Sequence, residues 1–203
     1  MLASASPRRA AILENLGLTI DVRPATIQEK PRENETAESF TRRVAEEKAR
    51  VIAEDVRSGV VIGADTVVCV SDEILGKPAD RSEARSMLRK LSGKTSSVVS
   101  GVALITRPGD RVAAGTDTTL VQFAPMSENE IDWYACSGEP DDKAGAYALQ
   151  GLAALFITRI DGSPSNVIGL PVRLLYTLSA QVNLDLIELR RNGRPLKPSG
   201  SDA

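Results

Sequence analysis

An acidic residue at the end of an apolar run is the first candidate for chemistry in this sequence. Asp65 closes the run Val60–Asp65, which is typical of a buried strand. Ligand sites of open α/β sheets tend to lie where such strands end. A carboxylate there can bind a divalent cation or activate water, or it can serve only to cap a turn or helix. Asp65 is therefore a candidate general base or metal ligand.

Two adjacent arginines lie at the start of a predicted helix. The segment Ser4–Arg9 reads Ser-Ala-Ser-Pro-Arg-Arg and places Arg8 and Arg9 in the first helical turn. Their charge opposes the helix dipole, and a bound polyphosphate would remove that conflict because guanidinium groups pair with phosphate oxygens. The alternative is two solvated arginines on an exposed turn. The pattern thus indicates either an anion site or a surface turn.

Two lysines and one glycine-rich segment extend this cationic set. Lys48, in Glu-Glu-Lys-Ala, and Lys77, in Leu-Gly-Lys-Pro, taken alone would be ordinary surface lysines. The constrained turn Gly76–Pro78 can nevertheless direct an ammonium group inward. Neither lysine belongs to an apolar stripe, so we expect the fold to tolerate alanine at both positions. The segment Gly138–Gly151 is dense in acids and glycines, which is more typical of a binding loop than of a solvated connector.

The absence of histidine narrows the possible chemistry. With no histidine among the 203 residues, a Ser-His-Asp triad and a His-ligated zinc site are both excluded. Cys69 and Cys136 are too few for a disulfide framework or a thiolate cluster. Ser92–Thr95 resembles the end of a P-loop, but Leu88 stands where that loop requires glycine. Arginine, lysine and acids suit phosphoryl chemistry with an oxygen-coordinated metal, Mg²⁺ or Mn²⁺.

Charge and hydropathy indicate where such a protein acts. The net charge of −2 provides no global positive field to gather nucleic acid or an anionic membrane. No apolar stretch approaches the ~20 residues of a membrane span, and the N-terminus lacks a signal-peptide core. We therefore expect a reduced, cytoplasmic protein with neither a nucleic-acid nor a membrane partner.

The elements that must position these residues alternate between helix and strand. Capping residues, prolines and glycines predict helices over residues 6–17, 37–56, 80–91, 127–137 and 171–181. Apolar runs predict strands over residues 60–65, 66–70, 97–106, 111–123 and 155–160, the third and fourth of them joined as a hairpin. This order predicts an α/β fold with a mixed sheet, in one domain or two lobes.

The ends of the chain carry less information than its middle. Only Met1–Ser4 precede the first helix, so the first strand is short unless the true start lies upstream. We expect a single domain over residues 1–185. Residues 186–203 are expected to form a disordered tail, and the stretch from Asn192 is the poorest in apolar residues.

The order of the motifs resembles one family of enzymes. The sequence contains in turn SASPRR, GADTVV, LGKP, LSGKT, GEPDDKAGAYALQG and GSPSNVIGLP. This arrangement is similar to that of the Maf (septum formation protein) family of nucleoside triphosphate pyrophosphatases, from Leu2 to about Ser179. The resemblance implies a Maf/ITPase-like α/β fold, with an elongated mixed β-sheet flanked by helices and two lobes around a central cleft.

The resemblance also implies an activity. Family members hydrolyse a nucleoside triphosphate between the α- and β-phosphates, giving the monophosphate and pyrophosphate with a divalent metal, and are often homodimers. The branch of the family directed to dTTP and UTP has motifs similar to SPRR, GADT and the IQG-like motif of this sequence. The branch directed to 7-methyl-GTP has SPWR, GSDQ and a SEG-type sequence instead. The expected substrates are thus dTTP, UTP and modified pyrimidine nucleotides.

Site residues follow from matching the motifs position by position. The resemblance makes Asp65 the proton acceptor and a metal ligand together with Glu29. It also implies that the phosphate ligands are Arg9, Lys48 and Lys77. The residues that it implies for substrate specificity are Arg8, Thr66 and Gln150.

Two departures from the family pattern, and one alternative function, stay open at this stage. Gln28 stands where the family has the other acid of a pair with Glu29, and Ser96 stands where many members have histidine. That histidine is therefore not needed for chemistry here. The alternative is a regulator of cell division or septum formation that binds nucleotide without significant turnover. The water-activating Asp65 favours the enzyme.

Overall fold

The computed structural model, which describes residues 1–71 and 73–193, is built on a five-stranded sheet. The strands in chain order are β1 (Gly59–Val70), β2 (Glu73–Leu75), β3 (Thr95–Arg107), β4 (Val112–Phe123) and β5 (Ile157–Asp161). They lie in the spatial order β2-β1-β3-β4-β5. Every pairing between them is antiparallel. Among the described residues, parallel pairing occurs only as isolated bridges from Leu2 to Val22 and Ile62, so the expected mixed sheet is corrected to an antiparallel sheet with a parallel margin.

The strand predictions are confirmed in position and differ in extent. The two predicted strands over residues 60–65 and 66–70 are one continuous strand, because no turn residue separates Asp65 from Thr66. The hairpin of β3 and β4 is confirmed, with Ile105 opposite Val112. The last strand begins at Ile157, after a short 3-10 turn over Leu152–Leu155.

The helices that surround the sheet pack against it and against one another. They are α1 (Pro7–Asn15), α2 (Ala37–Glu54), α3 (Arg81–Leu91), α4 (Glu128–Cys136), α5 (Pro164–Ile168), α6 (Val172–Gln181) and α7 (Leu186–Gly193). The predicted cap at Asp80 accepts a hydrogen bond from the Glu83 amide, and Ser127 and Glu130 form a reciprocal capping box. Within the described ranges, no helix combines the length and the apolar character needed to cross a membrane.

The expectation of a disordered tail from residue 186 is wrong for residues 186–193, which form α7. The Asp185 carboxylate accepts hydrogen bonds from the amides of Ile187 and Glu188, which satisfies the first turn of this helix. Leu184 and Leu186 pack against the core formed with α1 and α6. A cap and a few apolar contacts thus order this segment, which contains Leu186, Ile187 and Leu189. Residues 194–203 lie outside the described part.

Helix α2 packs with its backbone directly against the sheet. A Cβ at Gly63 would lie 2.0 Å from the carbonyl oxygen of Ala45, and one at Gly101 would lie 2.2 Å from that of Thr41. No other residue type leaves room for this approach, because a real Cβ cannot come that close to backbone oxygen. Gly101 is paired with Asp65 across β1 and β3. The glycines therefore determine how close α2 comes to the strand that carries Asp65.

We expect Gly101→Ala to lower the melting temperature strongly and to abolish activity, because the new methyl group forces α2 away from the sheet. Overpacking of a core typically costs about 1–3 kcal/mol, and here the obstacle is backbone that cannot rotate aside. Gly115→Ala is the matched control, since its Cβ would meet flexible side-chain ends, Leu174 Cδ1 at 3.1 Å and Leu178 Cδ2 at 3.6 Å, and not backbone. Equal melting temperatures for the two variants in thermal unfolding would contradict this account of α2.

Candidate active site

A cavity of about 640 Å³ brings together all the residues proposed from the sequence. Its wall includes Arg8, Arg9, Glu29, Lys48, Asp65, Thr66, Lys77 and Gln150. These residues come from α1, α2, β1 and three loops, and they span most of the chain. Tertiary structure alone makes them neighbours.

A gap along one edge of β1 explains where the cavity lies. Met1 and Ala3 exchange backbone hydrogen bonds with Ile62, and β2 pairs with β1 only from Val68 onward. Between these two contacts this edge of β1 has no neighbouring strand, and Asp65, Thr66 and Val67 line the cavity there. Side chains from both faces of β1 can therefore reach the same space.

Asp65 lies in the middle of β1, and not at its end as the sequence suggested. The apolar run continues past it, so the acid interrupts a buried strand. Because the sheet is antiparallel, it has no shared carboxyl edge at which a ligand site would form. The candidate site instead lies at the gap in the edge of the sheet.

A buried ion pair forms the centre of the site. The Lys48 Nζ atom donates to Asp65 Oδ1 at 2.8 Å and lies 2.9 Å from Glu29 Oε1. Lys48 and Asp65 are each 6% exposed, so Lys48 is not the surface lysine that its sequence context suggested. Burial raises the pKa of the Asp65 carboxyl, and the Lys48 ammonium opposes this shift. A buried carboxylate with a raised pKa is a stronger base than an exposed one.

Arg9 is buried and bonded to the protein itself. Its Nε donates to the Gly169 carbonyl, its Nη1 to Ser4 Oγ and the Ala64 carbonyl, and its Nη2 to Thr66 Oγ1. These contacts use all but one of the N–H groups of the guanidinium. Burial lowers the pKa of Arg9, and the charges of Asp65 and Glu29 oppose that shift. Arg9 therefore joins α1, β1 and the loop before α6, with little capacity left for a ligand.

The Thr66 side chain belongs to the same network. Its hydroxyl accepts from Arg9 and lies 2.8 Å from Ser100 Oγ and 3.4 Å from the Gly169 carbonyl oxygen. Its single proton is thus directed to Ser100 or Gly169. The geometry makes Thr66 a support for Arg9.

The other candidate residues are more open. Lys77 and Gln150 are exposed on the cavity wall. Arg8 Nη1 lies 3.1 Å from the carboxylate of Asp142, which is itself 2.6 Å from Lys143 Nζ. Both cations lower the pKa of Asp142, Lys143 more strongly than Arg8. A polyanion entering the cavity would compete with Asp142 for the two cations.

Asp142, Lys143 and Ser4 line the cavity and were not among the residues proposed from the sequence. Two of them belong to the acid-rich and glycine-rich segment that indicated a binding loop. The composition of this segment indicated a binding loop, but it did not indicate which of its side chains face the cavity. Ser4 gave no signal of its own, since its hydroxyl matters only through Arg9.

The donor set fits a weakly held divalent cation. Glu29 and Asp65 meet at Lys48, and across residues 1–71 and 73–193 no cluster of three potential metal-ligating acids or thiols is present. Two carboxylates match Mg²⁺, which often takes its other ligands from water and substrate phosphates. The residues therefore fit a metal that arrives with its substrate.

Comparison with known proteins identifies the family. The model of the Maf-like protein family matches residues 1–182. The chain is 44% identical over 199 residues to the dTTP/UTP pyrophosphatase of Anaeromyxobacter sp. (strain Fw109-5), covering 97% of this chain and 90% of that protein. It is also 44% identical over 186 residues to the dTTP/UTP pyrophosphatase of Myxococcus xanthus (strain DK1622), covering 92% and 93%. The chain belongs to the Maf-like family, which confirms the resemblance seen in its motifs.

We expect alanine at the two lysines to have different consequences, contrary to the expectation from sequence. Lys48→Ala leaves buried Asp65 without its counter-ion, and breaking such a pair costs about 3–5 kcal/mol, so melting temperature and activity both fall. Lys77→Ala removes an exposed cation, so KM rises while the melting temperature is unchanged. Lys94→Ala, an exposed lysine outside the cavity, is the control for both measurements. Unchanged stability of Lys48→Ala would show that the pair is not structurally important.

Proposed function

We propose that this protein is a nucleoside triphosphate pyrophosphatase that hydrolyses dTTP and UTP to the monophosphate and pyrophosphate. The observation that carries the proposal is a buried carboxylate, Asp65, 2.8 Å from Lys48 in a cavity lined by cations. Similarity to proteins named dTTP/UTP pyrophosphatase over nearly the whole chain supports the choice of substrate.

The cations of the cavity hold the triphosphate in this proposal. Lys77 is exposed on the wall and Arg8 is held only by a partly exposed ion pair, so both can turn to phosphate oxygens. Lys48 and Arg9 are fixed by the protein and provide positive charge that needs no rearrangement during reaction. Preorganised charge of this kind stabilises a transition state more than charge that must first reorient.

Asp65 acts as the proton acceptor. It takes a proton from water while the water oxygen bonds to the α-phosphorus, and the bond from that phosphorus to the α–β bridging oxygen breaks, releasing pyrophosphate. The Lys48 ammonium opposes the rise that burial causes in the pKa of Asp65, and so favours the ionised carboxylate that can accept a proton. Glu29 and Asp65 would hold Mg²⁺ or Mn²⁺, which when bound would neutralise charge on the phosphates.

Gln150 is the proposed reader of the base. Uracil and thymine present carbonyl acceptors beside an N3–H donor, and a glutamine amide can donate to one and accept from the other. Cytosine replaces one carbonyl with an amino group, so it would leave a polar group of the site unpaired. Thr66 contributes by orienting Arg9, and Arg8 contacts the phosphates or the sugar.

The proposal also covers the shape, the extent, the location and the oligomeric state of the protein. We propose that the cavity is the cleft between two lobes on an elongated sheet, that the domain comprises residues 1–185 together with α7, which packs on its core, that the protein acts in the cytoplasm and that it forms a homodimer. The family match over residues 1–182 supports the extent of the domain, and the resemblance of the motifs implies the cleft and the homodimer.

A panel of nucleotides tests the proposed function. We expect pyrophosphate release from dTTP and UTP with Mg²⁺ or Mn²⁺, less from CTP and 7-methyl-GTP, and none in excess EDTA. Turnover undiminished by EDTA would contradict the role of the metal. Nucleotide binding without release of pyrophosphate would instead favour the regulator of cell division.

We expect Asp65→Asn to lower kcat by about 10²–10⁴-fold, because the amide cannot accept a proton. The melting temperature should fall, because buried Lys48 loses one counter-ion, but the fold should survive because Glu29 Oε1 remains 2.9 Å from the ammonium. Circular dichroism and thermal unfolding check the fold, and steady-state kinetics check the rate. A folded variant with near-normal turnover would show that Asp65 is not the base.

A further inference from the structure

We propose that Glu139 is a positioning residue that, together with Tyr134, sets the orientation of Gln150 and thereby the selectivity for the base. The inference rests on the proposed function. Glu139 does not line the cavity, and no step described above involves it. Its influence on substrate must therefore pass through the residues that it holds.

The Glu139 carboxylate holds the end of the loop that carries Gln150. Its Oε2 atom accepts from the Leu152 amide at 2.9 Å, and Oε1 accepts from the Ala153 amide at 3.3 Å. Both amides belong to the residues that immediately follow the Gln150–Gly151 pair. An ionised carboxylate makes stronger hydrogen bonds to backbone amides than a neutral acceptor does.

Tyr134 holds the beginning of the same loop. Its hydroxyl donates to Glu139 Oε1 at 2.7 Å and accepts from the Ala148 amide at 3.2 Å. Tyr134 is fully buried, and burial raises the pKa of its phenol, so the group stays protonated. One chain of hydrogen bonds therefore fixes residues 148 and 152–153, and the exposed Gln150 side chain projects from between these fixed points.

The turn after Gln150 is shaped to receive this carboxylate. A Cβ at Gly151 would lie 2.0 Å from Glu139 Oε2. Only glycine permits the carboxylate to approach the backbone so closely. The Gly151 backbone therefore packs directly against the Glu139 carboxylate, and we expect a change in this group to shift the backbone that carries Gln150.

Steady-state kinetics of Glu139→Gln provides the test. This variant keeps the size of the side chain but removes its charge and places an amide donor against backbone donors. We expect the ratio of kcat/KM for UTP over that for CTP to fall about tenfold, through a higher KM for UTP with kcat nearly unchanged. Tyr134→Phe removes only a hydroxyl and should shift the ratio in the same direction. Glu130→Gln, a capping acid on α4 outside the cavity, is the matched control.

A double-mutant cycle separates positioning from a general loss of structure. If Glu139 acts through Gln150, Glu139→Gln causes no further change in the UTP/CTP ratio once Gln150→Ala is present. An unchanged ratio in folded Glu139→Gln and Tyr134→Phe overturns the inference, as does an equal fall of the ratio in the Gln150→Ala background. If Glu139→Gln does not fold, Tyr134→Phe decides by the same criteria.

Wild-type turnover is measured first. Absence of dTTP and UTP hydrolysis by the wild type would refute the proposed function and, with it, this inference. Wild-type hydrolysis with a selectivity that Glu139→Gln leaves intact would refute the inference alone.

Discussion

The contact between the backbone of α2 and the sheet is the constraint on which the site depends. Gly63 and Gly101 leave no side chain between the helix and strands β1 and β3, so the helix approaches far closer than side-chain packing would allow. Lys48 extends from this helix and reaches Asp65 at 2.8 Å. Burying two charges is costly in water-excluded surroundings, and the short pairing offsets much of that cost. A buried carboxylate and its counter-ion are thus fixed by the packing of backbone on backbone.

The unpaired edge of β1 provides access to this ion pair. The N-terminal residues cover one part of the edge and β2 covers another, so the cavity opens between them. Arg9 bridges this region by bonding to the Ala64 carbonyl on β1 and to Gly169 in the loop before α6. The Arg9 side chain thus takes the place of a neighbouring strand as the hydrogen-bond donor to the Ala64 carbonyl. The edge of β1 can therefore lack a paired strand at this point without leaving a buried carbonyl unsatisfied.

The cationic residues of the cavity fall into two kinds. Lys48 and Arg9 are buried and bonded to the protein, so they supply fixed charge. Lys77 is exposed, and Arg8 is held only by an ion pair with the more exposed Asp142, so these two can exchange partners. Fixed charge favours catalysis because nothing must reorganise, whereas mobile charge favours capture and release of a substrate. The arrangement suits an enzyme that must bind a polyanion and let its products leave.

Local sequence determined the helix caps and the hairpin, because caps and turns depend on neighbours within a few positions. Several of the cavity residues, Glu29, Thr66 and Gln150 among them, were proposed only through the resemblance of the motifs to a known family. The helix at Leu186–Gly193 was missed because the apolar-poor stretch from Asn192 made the whole segment look disordered, although Asp185 caps the helix and Leu186 packs on the core. Tertiary structure alone decided that the sheet is antiparallel, that Asp65 lies in mid-strand and that Lys48 is buried. These properties depend on contacts between residues that are far apart in the chain. Gly101 of β3, for example, determines how near α2 comes to Asp65. The sequence around either residue alone does not predict that distance.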